Sequence, residues 1–192
     1  MDIRFTINAF PALYGVFLAA AVVTLILYSR RGAAQGQRGL FYRLLMCLYG
    51  TGVLYFVLFP IDVNIGQYAA TNPWYNGIQW IPVLTIDLSS FAKNILLFVP
   101  LGLLLPLISG RVRSFRQAGQ NAFRASLGIE LVQLAVRITL GSGRTTDVND
   151  LIANTLGGLL GYAAYLGAVR IPALNQLLGA DRKPVRPGGP AN

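Results

Sequence analysis

Five apolar runs, each close to the length of one bilayer crossing, limit this chain more than any other feature. They cover residues 9–28, 41–59, 91–108, 119–140 and 151–169. About 20 apolar residues let an α-helix cross hydrocarbon, where every backbone N–H and C=O must be satisfied within the protein. The composition agrees with that reading. Of 192 residues 54% are hydrophobic and 12% charged, and the mean hydropathy is +0.54. Soluble domains carry about 25% charged residues. The expectation is an all-α fold: a polytopic membrane helix bundle of about five transmembrane helices. It forms a single domain over residues 1–178. A Pro-, Gly- and Arg-containing tail over 179–192 is expected to be disordered. The first run is too long for a signal-peptide core and has no small-residue cleavage site, so it reads as a retained helix.

The basic residues set the orientation. The net charge of +9 comes from side chains placed between apolar runs, not along one soluble face. That favours membrane topology over a nucleic-acid surface, and no nucleic-acid partner is expected. Twelve basic residues, from Arg30 and Arg31 through Arg111, Arg113 and Arg116 to Arg186, fall on one side of a five-helix topology. Four (Arg4, Lys93, Arg137 and Arg144) fall on the other. Short basic loops stay in the cytoplasm, so the N-terminus is expected outside and the C-terminus inside. The longest connection, 61–90, then faces out. Its Trp74, Tyr75 and Trp80 suit the membrane interface, as an ordered loop or with a short helical or re-entrant piece. Histidine is absent and Cys47 is the single cysteine. Ser-His-Asp catalysis, His-metal centres and intramolecular disulfides are therefore excluded.

Against this apolar background, residues 126–161 stand out. Ser126, Glu130, Gln133 and Arg137 recur at steps of three and four, which places them on one narrow stripe of the fourth helix. Asp147, Asp150, Asn154, Gly157 and Gly161 form a matching stripe on the fifth. The short connection makes the two helices antiparallel neighbours. The third helix enters from the same outer side and brings Lys93 and Asn94 to that level. The candidate ligand-binding set is Lys93, Asn94, Glu130, Gln133, Arg137, Arg144, Asp147, Asp150 and Asn154. Charged groups within a membrane cost about 2.5–3.5 kcal/mol on insertion scales, so such a set is a functional candidate by default. Arg137 is expected to offset the cost of Glu130, and an ion-paired staple joining the helices is the competing role. Asp150 is expected to cap the fifth helix and Asn94 the third. Gly157-x-x-x-Gly161 should let another backbone approach closely.

These residues resemble the VanZ-like family of bacterial membrane proteins, named for a member associated with low-level teicoplanin resistance. The likeness covers residues 80–162. It runs through Trp80-Ile81-Pro82, Asn94 to Gly102 (Asn-Ile-Leu-Leu-Phe-Val-Pro-Leu-Gly), Ile129-Glu130-x-x-Gln133 and Arg144-x-x-Asp147-x-x-Asp150-x-x-x-Asn154-x-x-Gly157. Asn149 departs from it, because the family often has an acid there. The resemblance implies a multi-pass protein of the bacterial cytoplasmic membrane and a contribution to glycopeptide tolerance.

Three functions follow from the residues. The first is a non-enzymatic envelope protein. Its outward-facing polar site would bind a lipid headgroup, a lipid-linked cell-wall precursor or a glycopeptide, with Arg144 and Lys93 on phosphate and Asp147 and Asp150 on an amine or hydroxyl. The second is an intramembrane enzyme acting on a lipid-linked substrate, with Glu130 as acid or base and Asp147 and Asp150 as catalytic carboxylates. Two carboxylates and Asn154 are a thin oxygen set for a divalent ion, so no metal and no cofactor are expected. The third is a small transporter with Glu130 as proton relay, against which no inverted repeat is visible. The first is preferred.

Overall fold

The computed structural model describes residues 2–31, 36–68, 73–82, 86–143 and 145–179. Six helices carry the fold: α1 (Ala9–Arg31), α2 (Gly36–Leu58), α3 (Leu88–Ile108), α4 (Phe115–Leu140), α5 (Val148–Ala168) and the short α6 (Pro172–Leu178). Helices α1, α2, α3 and α5 are long and apolar enough to cross a membrane. Helix α4 has 26 residues but is less apolar, since its first turns hold Arg116, Gln117, Gln120, Asn121 and Arg124. It nevertheless runs beside α5 for most of its length. Gly119 lies by Leu159, Ala122 by Gly158, Ser126 by Asn154 and Glu130 by Asp147. As the α4 number rises the α5 number falls, which is the antiparallel register the short connection requires.

The helix ends are set by short polar signals. Asp87 caps α3, accepting hydrogen bonds from the Ser89 and Ser90 amides at 3.1 and 3.2 Å. Ser114 caps α4 through the Gln117 amide at 3.3 Å. These signals lie outside the apolar runs, so both helices begin earlier than hydropathy predicts. Helix α4 ends on Gly141, at φ 64°, where a side chain would also collide with the Asn64 carbonyl oxygen 2.4 Å away. Only glycine meets both demands.

Two small sheets cover the end that holds the acidic groups. Strands β1 (Ile3–Ile7) and β2 (Ile61–Ile65) pair antiparallel, while β3 (Ile78–Gln79) and β4 (Thr146–Asp147) pair parallel. The described part of 61–90 is thus strand and 3-10 turn, without a re-entrant helix. Pairing of β3 with β4 ties that loop to the start of α5. At the opposite end α6 leans on α2, through Arg38 Nη1 to the Gln176 carbonyl at 3.2 Å and the Tyr42 hydroxyl to the Leu178 carbonyl at 3.0 Å.

Helices α3, α4 and α5 form the tight part of the bundle. Hydrocarbon gives helices no hydrophobic drive to associate, so close packing must supply it. Glycines provide the fit between α3 and α5, which run parallel. A Cβ on Gly157 would lie 2.2 Å from the Ile95 carbonyl oxygen, one on Gly161 2.0 Å from that of Val99, and one on Gly102 2.0 Å from that of Gly158. The backbones therefore touch directly, and Phe98 beside them is 1% exposed. The two prolines of α3 are accommodated within the helix. Pro100 leaves the Leu96 carbonyl without its helical donor, and one residue along the Tyr49 hydroxyl of α2 donates to the Leu97 carbonyl at 2.8 Å.

This packing predicts opposite outcomes for two glycines of α5. Gly161→Ala should cost about 1–3 kcal/mol, because α3 backbone rather than a flexible side chain stands in the way. Gly167, with nothing within 4 Å of a built Cβ, should accept alanine neutrally or with a gain of up to about 1 kcal/mol. Thermal unfolding of both variants in the same detergent checks the contrast.

Candidate functional site

The site is built around the first turn of α5. Asp147 is its N-cap, and its Oδ1 accepts from the Asn149 amide at 2.8 Å and from Asn149 Nδ2 at 3.0 Å. Asp150 therefore is not the cap. It sits at the third helical position, where a capping-box residue would reach back to the amide of the cap. Here Asp150 instead accepts a short hydrogen bond from Asn94 Nδ2 of α3. The vacated role falls to a different helix: Glu130 Oε2 of α4 accepts the Asp147 amide at 3.1 Å. Three carboxylates thus gather around one helix N-terminus, where the positive end of the macrodipole favours negative charge. This gives a physical reason for Glu130, only 3% exposed, to lie inside the bundle.

One turn deeper, Asn154 Nδ2 donates to Ser126 Oγ at 2.9 Å. Both residues are buried, at 2% and 0% exposure. Gln133 Nε2 crosses to the Val57 carbonyl at 2.8 Å, tying α4 to α2. The carbonyl oxygens Asn154 Oδ1 and Gln133 Oε1 are buried without a protein partner.

The structure gathers Asn94, Glu130, Asp147 and Asp150 at the start of α5, places Asn154 one turn deeper against Ser126, and keeps Gln133 on the same face of α4 as Glu130. Arg137 turns toward the connection between α2 and α3. Its guanidinium lies on the backbone of Gly77, where a Cβ would meet Cζ at 1.8 Å. Glu130 accepts the Asp147 amide. Asp87 caps α3, so Asn94 is free to serve α5. Lys93 is exposed on α3, one position from Asn94. Arg144 and the side chain of Trp74 lie outside the described residues.

Above the cluster opens a polar cleft of about 180 Å³ between the starts of α3 and α5. Asp87, Asp147 and Asp150 line it with carboxylates, Gln79, Ser90, Thr145 and Asn149 add neutral polar groups, and Ile86 and Phe91 add apolar wall. Glu130 lies beneath this lining and is not part of it. Gln79, Asp87, Ser90, Thr145 and Asn149 were not among the sequence candidates. Asp87-Leu-Ser-Ser is a legible cap signal, whereas Gln79 arrives through the pairing of β3 with β4, which no local pattern announces. Among the described residues, no group of three or more His, Cys, Asp or Glu side chains is arranged to hold a metal ion.

Fold and site together define a helical, multi-span membrane protein with a polar cleft at one end of the bundle. A family model described as VanZ/LLP1 matches residues 46–170, and the chain belongs to that family. It is 30% identical over 122 residues to Protein VanZ of Enterococcus faecium, an alignment covering 63% of this chain and 71% of that protein. No solved structure gives a significant match. Every cluster residue, from Asn94 to Asn154, falls inside the matched region.

The arrangement predicts that Glu130 is needed as an acceptor more than as a charge for folding. Glu130→Gln retains an oxygen for the Asp147 amide and should unfold close to the parent temperature. Glu130→Leu strands a buried amide and should cost about 1–3 kcal/mol. Circular dichroism melts of the two purified variants distinguish the roles.

Proposed function

We propose that this protein acts in the bacterial cell envelope as a binding protein, holding the headgroup of a lipid or lipid-linked cell-wall precursor at the outer face of the cytoplasmic membrane. In this reading it contributes to tolerance of teicoplanin-type glycopeptides. The observation that carries the proposal is the cleft between the starts of α3 and α5. Its described lining is rich in acceptors, with the carboxylates of Asp87, Asp147 and Asp150 beside Gln79, Ser90 and Asn149. Such a lining complements hydroxyl and ammonium donors.

Size narrows the ligand further. At about 180 Å³ the cleft is smaller than the roughly 300–1,000 Å³ pockets that enclose drug-sized molecules. It fits one polar moiety, with the rest of the ligand lying outside. The neighbouring exposed Trp80, Ile81 and Leu88 offer apolar surface of the kind found where headgroups meet acyl chains. The basic-residue asymmetry supports placing this end outside. Glu130, occupied with the Asp147 amide below the cleft, is better matched to positioning α5 than to acid-base chemistry on a ligand.

The test uses Asp150→Asn. The variant keeps an oxygen to accept the Asn94 bond and removes one charge from the cleft. In a strain lacking the native gene, restoring the parent chain should raise the teicoplanin concentration needed to stop growth. Asp150→Asn at equal membrane abundance should leave the strain as sensitive as the deletion. Full restoration by the variant would refute the proposal.

A further inference from the structure

The opposite end of the molecule carries a second surface, independent of the outer cleft. A shallow groove of about 450 Å³ runs between α4 and α5, lined by Phe115, Arg116, Gly119, Phe123 and Leu159 with Gln120 and Thr155 at its sides. Its depth comes from Gly119, where a Cβ would press on Leu159 Cδ2 at 3.2 Å. The stripe 116, 119/120, 123 follows one side of α4. Phe115 and Phe123 remain about half exposed, at 49% and 45%. The groove wall is mostly apolar, with Arg116 at its end and Gln120 and Thr155 at its sides.

Charge distinguishes this groove from an ordinary lipid-facing surface. Between Asp87 and Glu130 the sequence has no acid, yet it has Arg111, Arg113, Arg116 and Arg124. The six described carboxyl residues are Asp2, Asp62, Asp87, Glu130, Asp147 and Asp150, all toward the other end or in its half of the bundle. Helix α4 also begins here, at Ser114, adding the positive end of its dipole. Arg116 in the groove, with Arg111, Arg113 and Arg124 near it in sequence, thus has no described carboxylate at this end to neutralise it.

We infer that this groove binds an anionic phospholipid of the cytoplasmic leaflet, with the phosphate at Arg116 and an acyl chain lying over Gly119, Phe123 and Leu159. Charge complementarity selects that occupant, since basic pockets between membrane helices on the cytoplasmic side fit anionic headgroups. The dimensions agree. With a 1.5 Å rise per residue, Phe123 lies about 10 Å from Arg116 along the axis, so headgroup and upper chain span the groove. The leaflet follows from the orientation set by the basic residues, whereas the binding itself does not depend on it.

The experiment is a titration of purified full-length protein in mild detergent with phosphatidylglycerol and, separately, phosphatidylcholine of the same chains, read by native mass spectrometry. The parent chain should hold one phosphatidylglycerol in preference to phosphatidylcholine. Arg116→Gln, at an exposed position, should reduce that preference about fivefold, the equivalent of roughly 1 kcal/mol for one basic contact. Gly119→Leu, which fills the groove, should weaken both lipids together. Equal binding of the two lipids by the parent chain would overturn the inference. So would an unchanged preference in Arg116→Gln, or a dimer in which a second copy excludes lipid. The cleft variants of the outer end should bind phosphatidylglycerol normally, so failure here is separable from failure of the proposed outer site.

Discussion

Direct backbone contact between α3 and α5 is the constraint on which the rest depends. Carbonyl oxygens of α3 stand 2.0 and 2.2 Å from where side chains of residues 161 and 157 would begin. At that spacing the helices have one register, and a shift by one residue would bring a bulky side chain against a carbonyl. The register places Asn94 beside Asp150 and the start of α3 beside the start of α5. The cleft is the gap left between those two helix starts. Its geometry thus follows from small residues about two to three turns deeper.

The polar groups make use of that fixed register. An isolated α5 would have to satisfy its first amides locally or leave them to water. In the bundle, Asp147 serves one amide of its own helix, Glu130 of α4 serves the Asp147 amide, and Asp150 is released to hold Asn94 of α3. The capping of one helix has become a junction of three. Such a junction stabilises only if its members are satisfied, because low dielectric magnifies both a made and a missing hydrogen bond. It also makes the carboxylates interdependent, so a charge change at one is expected to alter the others' positions as well as the cleft.

Much of this was legible in the sequence. Apolar run length gave five long helices, and the steps of three and four along α4 and α5 marked the residues that meet. Gly157 and Gly161 announced a close backbone approach, and the structure supplies α3 as the partner. What escaped were features that hydropathy cannot register. Ser114 and Asp87 start their helices ahead of the apolar runs. The strands at the cleft end are two to five residues long and exist through pairing between distant segments. Roles within the cluster were also exchanged: Asp147 rather than Asp150 caps α5, and Arg137 reaches Gly77. Side-chain direction at a helix end depends on which acceptor the neighbouring element offers, and a single sequence does not state that.

The depth profile of the polar seam bears on what kind of function it can serve. A proton or ion relay needs polar groups, or water between them, from one face of the membrane to the other. The seam passes from the cleft through Asp150 and Glu130 to Asn154 and Ser126. Directly below, Ala122 meets Gly158, where even an added methyl would sit 2.4 Å from the Ala122 Cβ. Ala118 and Ala122 are wholly buried, and the next buried ring is Tyr162 at the far end. Small residues close-pack the α4–α5 contact there. Along the α4–α5 contact the polarity therefore opens toward the end that holds the cleft.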